Sequence, residues 1–113
     1  MNQEGLVLCG ASAYEEKYYF NEEKFAKLPE DIKKELRIIS ILFTQEIGGE
    51  FIMEFDEDGS LQLKTMAKDS DYNYDEIGGT LMIKQIRKER QEMFGQLELF
   101  CKVVIMGIPL EEA

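Results

Sequence analysis

The acidic segment 68–75, KDSDYNYD, has the residue types and the spacing of a calcium-binding loop. The oxygen-bearing side chains at alternate positions are Asp69, Asp71, Asn73 and Asp75. An EF-hand places its first four ligands in this way, but it also needs a central glycine, where this chain has Tyr74, and a final glutamate, where it has Thr80. Two interpretations remain open, a site for calcium or a small ligand and a solvated acidic loop.

Other residues that usually carry catalysis are absent or isolated. The chain contains no histidine, which removes the commonest general base and a common zinc ligand. Its two cysteines, Cys9 and Cys101, are too far apart in the sequence to form a metal knuckle, and free cysteine is usually buried. Neighbouring carboxylates such as Glu15 and Glu16 show no convergence on one substrate. We therefore expect a protein that is not an enzyme and has no cofactor.

Length and charge limit the remaining functions. The chain has 113 residues, of which 44% are hydrophobic, and this suits one domain, 1–113. Its formal net charge of −10 repels nucleic acids and anionic membranes and favours a basic protein partner. The apolar run 6–8 before Cys9 is shorter than the roughly 7–15 residues of a signal peptide or the ~20 of a membrane helix. We expect a cytoplasmic protein.

The strands are predicted from short apolar runs between turn residues. Segment 5–10, GLVLCG, predicts a buried strand. Segment 13–20, AYEEKYYF, predicts a second strand because tyrosine and phenylalanine favour strands, although Ser12 with Glu15 also resembles a helix capping box. Alternating apolar residues on both sides of the turn 56–59, DEDG, predict a second hairpin.

Helix ends are marked by a tetrapeptide, EIGG, that occurs at 46–49 and at 76–79. Pro29 predicts the first residue of a helix, and the first EIGG predicts its end, because glycine adopts the left-handed conformation that follows a helix. Asp75 or Thr80 predicts the N-cap of another helix at the second EIGG. We interpret the repeat as two helix ends rather than as a duplicated catalytic loop.

The apolar stripe of the first of these helices is unusually wide. Ile38, Ile41 and Leu42 extend a stripe that residues such as Leu36 and Phe43 already form at helical spacing. This width predicts a helix that protein covers on more than one side.

The last helix is predicted to run from 80 to 106, about 40 Å at 1.5 Å per residue. A compact domain of this size has a diameter of about 34 Å, so we expect the apolar stripe to project and bind a second copy, unless the helix kinks at Gly95. Arg90 interrupts the stripe, either where the helix leaves the core or as the partner of an acid across an interface. Tyrosine is also enriched at interfaces, although for Tyr14 and Tyr18 core or sheet packing is an equal alternative. The residues predicted for the interface are Ile86, Arg90, Met93, Leu97, Phe100, Tyr18 and Tyr19.

Five segments together resemble a family of short acidic bacterial proteins, of the Clostridia type of Firmicutes, that is known only as a domain of unknown function. They are VLCGASAYEEKYYFN, KLPEDIKKEL, EFDEDG, DEIGG and KVVIMG. The resemblance implies a cytoplasmic bacterial origin and brings no activity, cofactor or site residue.

The predicted fold is α+β, with two hairpins that form a small antiparallel sheet packed on two helices, the C-terminal helix being long. The predicted function is that of a non-catalytic interaction or adaptor domain, a homodimer built on the last helix. Two alternatives remain. One is a protein that binds calcium or a small ligand through segment 69–75, and the other is a small acidic chaperone of the secretion type.

Overall fold

The computed structural model of the protein describes residues 6–113. Residues 1–5 lie outside the described residues. They include Gly5, the first residue of the predicted first strand, and the beginning of the predicted domain 1–113. The strands are β1 Leu6–Ser12, β2 Lys17–Phe20, β3 Glu50–Phe55 and β4 Leu61–Met66. The helices are α1 Glu22–Phe25, α2 Glu30–Ile47, α3 Glu76–Glu89 and α4 Gln91–Phe100. A π-helical turn, Cys101–Ile105, continues α4, and a 3₁₀ turn, Leu110–Glu112, follows it.

The four strands form one antiparallel sheet in the order β2-β1-β3-β4. The two predicted hairpins are adjacent, and the pairing of β1 with β3 joins them, so that Cys9 lies opposite Phe20 on one side and Met53 on the other. A register shift between Val7 and Cys9 marks a β-bulge, which is how one strand accommodates an extra residue. The predicted α+β fold is confirmed, with a long C-terminal helix that runs from Gln91 through the π-helical turn to Ile105.

The hydrophobic core lies between one face of the sheet and the helices. On β3 the side chains of Phe51, Met53 and Phe55 are buried, in the period-two pattern of a strand with one covered face. Leu36 and Phe43 of α2 cover this face, and the rings of Phe43 and Phe51 stack with their centroids 4.6 Å apart. The sheet therefore anchors α2, on which α3 packs in turn.

The second strand is shorter than the sequence predicts. Strand β2 begins at Lys17, and residues 13–16 form a turn. The hydroxyl of Ser12 accepts a hydrogen bond from the backbone N–H of Glu15 at 3.3 Å, as in a capping box, but no helix follows. Glu16 has a φ of 53°, so the chain reverses direction here into the β1–β2 hairpin.

Helix α2 ends at the first EIGG, as predicted. Its last residue is Ile47, and Gly48 follows with a φ of 92°, while the Gly48 N–H binds the carbonyl of Thr44 at 2.9 Å. At the other end, Pro29 is the N-cap with a φ of −61° and a ψ of 150°, so the helix begins one residue later than predicted, at Glu30.

The prediction of one uninterrupted helix from 80 to 106 is wrong. The chain leaves helical geometry at Arg90, where φ is −118° and ψ is 30°, and α3 and α4 lie on either side. The predicted kink site, Gly95, lies inside α4. Arg90 forms an ion pair with Glu35 of α2. The two residues are 55 positions apart in the sequence, so local periodicity does not reveal this contact. Among residues 6–113, no helix is both long enough and apolar enough to span a membrane.

The second EIGG forms the first turn of α3, which confirms the predicted helix start. Asp75 is the N-cap, and its carboxylate accepts the N–H of Gly78 at 2.9 Å. Because alanine offers no such acceptor, we expect Asp75→Ala to lower the free energy of unfolding by about 1 kcal/mol in urea denaturation.

Thr80 supplies the matched control for this prediction. Its hydroxyl donates to the carbonyl of Glu76 within the helix rather than capping a free N–H. Thr80→Ala is therefore expected to change the stability by less than about 0.5 kcal/mol. Equal losses in both variants would contradict the assignment of the cap to Asp75.

Candidate interaction groove

Two of the predicted calcium ligands, Asp71 and Asp75, are engaged in hydrogen bonds within the chain. Asp71 accepts hydrogen bonds from the hydroxyl of Tyr14 at 2.6 Å and from the N–H of Asn73 at 3.0 Å, and Asp75 caps α3. Within the range 6–113, no group of three or more acidic or cysteine side chains is placed to hold a metal ion. The predicted ligands that the structure does not bring together are Asp69, Asp71, Asn73 and Asp75.

A tyrosine–aspartate contact holds this loop against the β1–β2 turn. The hydrogen bond to the Asp71 carboxylate raises the pKa of Tyr14, because it retains the hydroxyl proton. The Tyr14 hydroxyl also accepts the N–H of Lys68 at 3.0 Å, and the Lys68 ammonium lies 4.5 Å from the ring centroid. The polar side chains of the loop therefore help to fix the path of the chain towards α3.

The predicted interface residues of the last helix lie mostly in the core of this chain. Ile86 is 5% exposed and Leu97 is 2% exposed. Met93 and Phe100 are partly buried and pack against the same core. The structure therefore does not present these four side chains together as a free apolar surface.

Arg90 forms an ion pair within the chain. Its Nε and Nη2 atoms donate to the same carboxylate oxygen of Glu35, at 3.0 Å and 2.6 Å, and its Nη1 lies 3.5 Å from Glu89. The pair joins the break between α3 and α4 to the start of α2. Arg90 thus pairs with an acid of its own chain, whereas the sequence-based interpretation placed that acid across an interface.

The predicted interface tyrosines lie on opposite faces of β2. Tyr19 is exposed on the outer face, whereas Tyr18 is partly buried, with the guanidinium of Arg37 5.7 Å from its ring centroid. Cys9 lies in the core nearby, and its Sγ is 3.7 Å from the hydroxyl of Ser40. Burial raises the pKa of the Cys9 thiol to about 11, which makes it a poor nucleophile near neutral pH.

An open groove of about 490 Å³ lies between α2 and α3. The two helices run antiparallel, since Ile47 at the end of α2 lies beside Gly79 in the first turn of α3, while Glu35 near the start of α2 binds Arg90 after α3. A Cβ at Gly79 would lie 3.2 Å from the Cγ2 of Ile47, so glycine allows the close approach of the helices at this end.

The lining of this α2–α3 groove combines apolar side chains with charged and polar ones. The lining residues are Ile39, Leu42, Glu46, Ile47, Asp75, Gly78, Leu81, Met82, Gln85, Ile86, Glu89 and Arg90. Leu42 is 47% exposed and Leu81 is 61% exposed. One turn earlier on the same helices, Ile38 and Ile77 are exposed by 41% and 76%. Facing helices thus present large aliphatic side chains to solvent.

Comparison with known families places nearly all of the described chain in one family. Residues 5–109 match the model of a family of unknown function, DUF6145. The chain belongs to this family. A search of curated proteins finds no match for it, and neither does a search of solved structures. The resemblance to a family of unknown function is thereby confirmed, and the DUF6145 match includes both walls of the groove.

Sequence reasoning did not identify this surface of the DUF6145 domain, although it noticed the stripe that forms part of it. The width of the α2 stripe predicted that protein covers the helix on more than one side. Helix α2 does pack against the sheet on one side and against α3 on another, but Ile38 and Leu42 of the same stripe remain exposed. The signal was the excess width itself, which marks apolar surface without telling what covers it.

Two other depressions of the DUF6145 domain have different linings. One, of about 460 Å³, lies between β2 and α2 and includes Lys17 and Arg37. The other, of about 380 Å³, lies on the outer face of the sheet and includes Gly10, Tyr19 and Ile52. Neither combines exposed aliphatic side chains from two facing elements, as the α2–α3 groove does.

Proposed function

We propose that this member of DUF6145 is a non-catalytic protein-interaction domain that binds a partner protein in the α2–α3 groove. The observation that carries the proposal is the exposure of two pairs of aliphatic side chains at helical spacing. Ile38 and Leu42 lie one turn apart on α2, and Ile77 and Leu81 lie one turn apart on α3. Of these, Leu42 and Leu81 line the groove, and exposed apolar side chains on two facing helices are typical of an interaction site, because their contact with water is unfavourable.

The dimensions of the groove favour a protein over a small molecule. Helix α3 has 14 residues, so its wall is about 20 Å long at 1.5 Å per residue. Small-ligand sites usually enclose about 70–90% of the surface of the ligand. A groove that is open along a helix suits a partner that continues beyond it on both sides.

Two further observations support this form of the proposal. The buried thiol of Cys9, with its raised pKa, is unsuited to nucleophilic chemistry. Self-association through the last helix, the sequence-based hypothesis, would require Ile86 and Leu97 to leave the core, whereas a partner at Leu42 and Leu81 requires no such change.

The experiment is the double substitution Leu42→Ser and Leu81→Ser. Both side chains are already exposed, so the fold is expected to tolerate the change, while a bound partner loses its apolar contacts. We expect at least about a tenfold loss of affinity. The measurement is quantitative mass spectrometry of proteins that co-purify with the tagged chain from its native cells.

The matched control is the double variant Leu99→Ser and Val104→Ser. These side chains are similarly exposed, at 42% and 51%, but they lie on α4 and the π-helical turn rather than at the groove. The control is expected to retain the partners of the unmodified chain. Equal recovery from the groove variant, the control and the unmodified chain would overturn the proposed function.

A further inference from the structure

Three carboxylates lie among the lining residues of the α2–α3 groove. Glu46 lies on the α2 wall, Asp75 at the N-cap of α3, and Glu89 in the last turn of α3. The cation in the lining, Arg90, is already paired with Glu35 at 2.6 Å and with Glu89 at 3.5 Å. The groove therefore carries a net negative charge, as does the whole chain with its formal charge of −10.

Both walls of the groove are helices, and this selects the conformation of an occupant. The backbone N–H and C=O groups along a helix are used in its own hydrogen bonds, so these walls offer few groups to pair with an extended strand. A helical occupant satisfies its own backbone and presents only side chains. Packed at the usual interaxial distance of about 8–10 Å, it would lay one face across Leu42 and Leu81.

We propose that the α2–α3 groove binds an amphipathic α-helix of a partner protein, with large aliphatic side chains on one face and Lys or Arg on its flanks. This inference rests on the proposed function and names its class of partner. The aliphatic face covers Leu42 and Leu81, and the cations lie near Glu46 and Glu89. A second copy of this chain is a poorer occupant, because it would bring two surfaces of the same negative sign together.

The test uses a synthetic amphipathic helix as the probe. Its length is about 18 residues, because isolated helices below ~12–15 residues are marginally stable. Leucine occupies one face at spacings of three and four, and lysine occupies the other positions. A second peptide replaces every lysine by glutamate, and a third has the leucines and lysines in scrambled order.

We expect the leucine–lysine helix to bind with a dissociation constant in the micromolar range, measured by fluorescence anisotropy at physiological salt. The glutamate and scrambled peptides are expected to bind at least about tenfold more weakly, because they lack the charge match or the apolar face. Equal binding of the three peptides, or binding of none, would overturn the proposed class of partner.

Variants of the chain show whether the probe occupies the groove. Leu42→Ser with Leu81→Ser is expected to weaken binding at least about tenfold, while Leu99→Ser with Val104→Ser leaves it unchanged. Unchanged binding to the groove variant would mean that the peptide is attracted by net charge alone, and the proposal would then fail.

The carboxylates are tested by a second matched pair of variants. Glu46→Gln with Glu89→Gln is expected to weaken binding of the leucine–lysine helix about five- to tenfold, with a smaller dependence on salt. The control, Glu57→Gln with Asp58→Asn, removes the same charge from the exposed β3–β4 turn and is expected to change binding less than about twofold. Equal effects would contradict a specific role of the groove carboxylates.

Failure of this inference and failure of the proposed function give different results. If partners in the cell depend on Leu42 and Leu81 but no helical peptide binds, the interaction function stands and the helical partner is excluded. If sedimentation equilibrium shows a dimer that Leu42→Ser with Leu81→Ser dissociates, the groove belongs to a second copy and the inference is overturned. If the groove variant keeps both its cellular partners and its peptide binding, the proposed function and this inference are both overturned.

Discussion

Above pH 9 the folded protein is expected to lose stability, and variants without the Cys9 thiol are expected to lose less. Burial raises the pKa of this thiol from 9.0 to about 11. A thiol whose pKa is higher in the folded state contributes stability below pH 9, and this contribution disappears as the pH rises to about 11. A difference of two pKa units corresponds to about 3 kcal/mol.

The measurement is urea denaturation between pH 7 and pH 11 of the unmodified chain, Cys9→Ala and Cys9→Ser. Both variants are expected to be less stable at pH 7, because the site is packed, yet to show a flatter decline above pH 9. Burial and the neighbouring Cys9 also raise the pKa of Tyr18, so part of the decline is expected to persist in these variants. Identical declines in all three proteins would contradict the role of the thiol.

The elements whose signals are local were predictable. The β3–β4 hairpin follows from apolar alternation around a DEDG turn, and its strands end where that pattern ends. The two copies of EIGG mark a helix end and a helix start because of Gly48 and Asp75, which act on the adjacent turn alone. Neither feature depends on where the rest of the chain lies.

The break at Arg90 was not predictable from periodicity. Residues at 86, 90, 93 and 97 keep helical spacing across the break, and arginine is a good helix former. The contact that accompanies the break is an ion pair with Glu35, which only the packing of α3 on α2 creates. Ile86 and Leu97 of the predicted interface lie in the core of the single chain, which periodicity also does not reveal.

The candidate site was predictable in part. The sequence showed that α2 carries more apolar surface than one contact covers, and that the chain is acidic. It could not show that α3 leaves Leu42 exposed while it covers Ile47, since that depends on the relative placement of two helices. In the acidic loop, by contrast, the sequence indicated a site that the structure does not form. Asp71 has the spacing of a calcium ligand, but its carboxylate accepts a hydrogen bond from Tyr14, which is distant in the sequence.

Gly49 is the second glycine of the first EIGG. Its replacement, Gly49→Ala, is expected to destabilise the fold by about 3 kcal/mol. Gly49 has a φ of 69°, a region that costs a residue with a Cβ about 1–2 kcal/mol. A Cβ there would also overlap the carbonyl oxygen of Met66 and lie 2.9 Å from the ring of Tyr74. Because the Tyr74 hydroxyl binds Thr65 at 2.6 Å, the change disturbs the chain that leads into α3.

Gly107→Ala separates the two causes of this loss. Gly107 also has a positive φ, 75°, but a Cβ there would meet nothing within 4 Å, so only the conformational cost of about 1–2 kcal/mol applies. Urea denaturation of both variants gives the difference between their losses of unfolding free energy. Equal losses would show that the contacts of an added Cβ at residue 49 with β4 and Tyr74 cost no energy. Gly49→Ala is also compared with Gly107→Ala in binding of the leucine–lysine helix. If only Gly49→Ala weakens this binding, the position of α3 and the width of the groove depend on the packing of Tyr74 over Gly49.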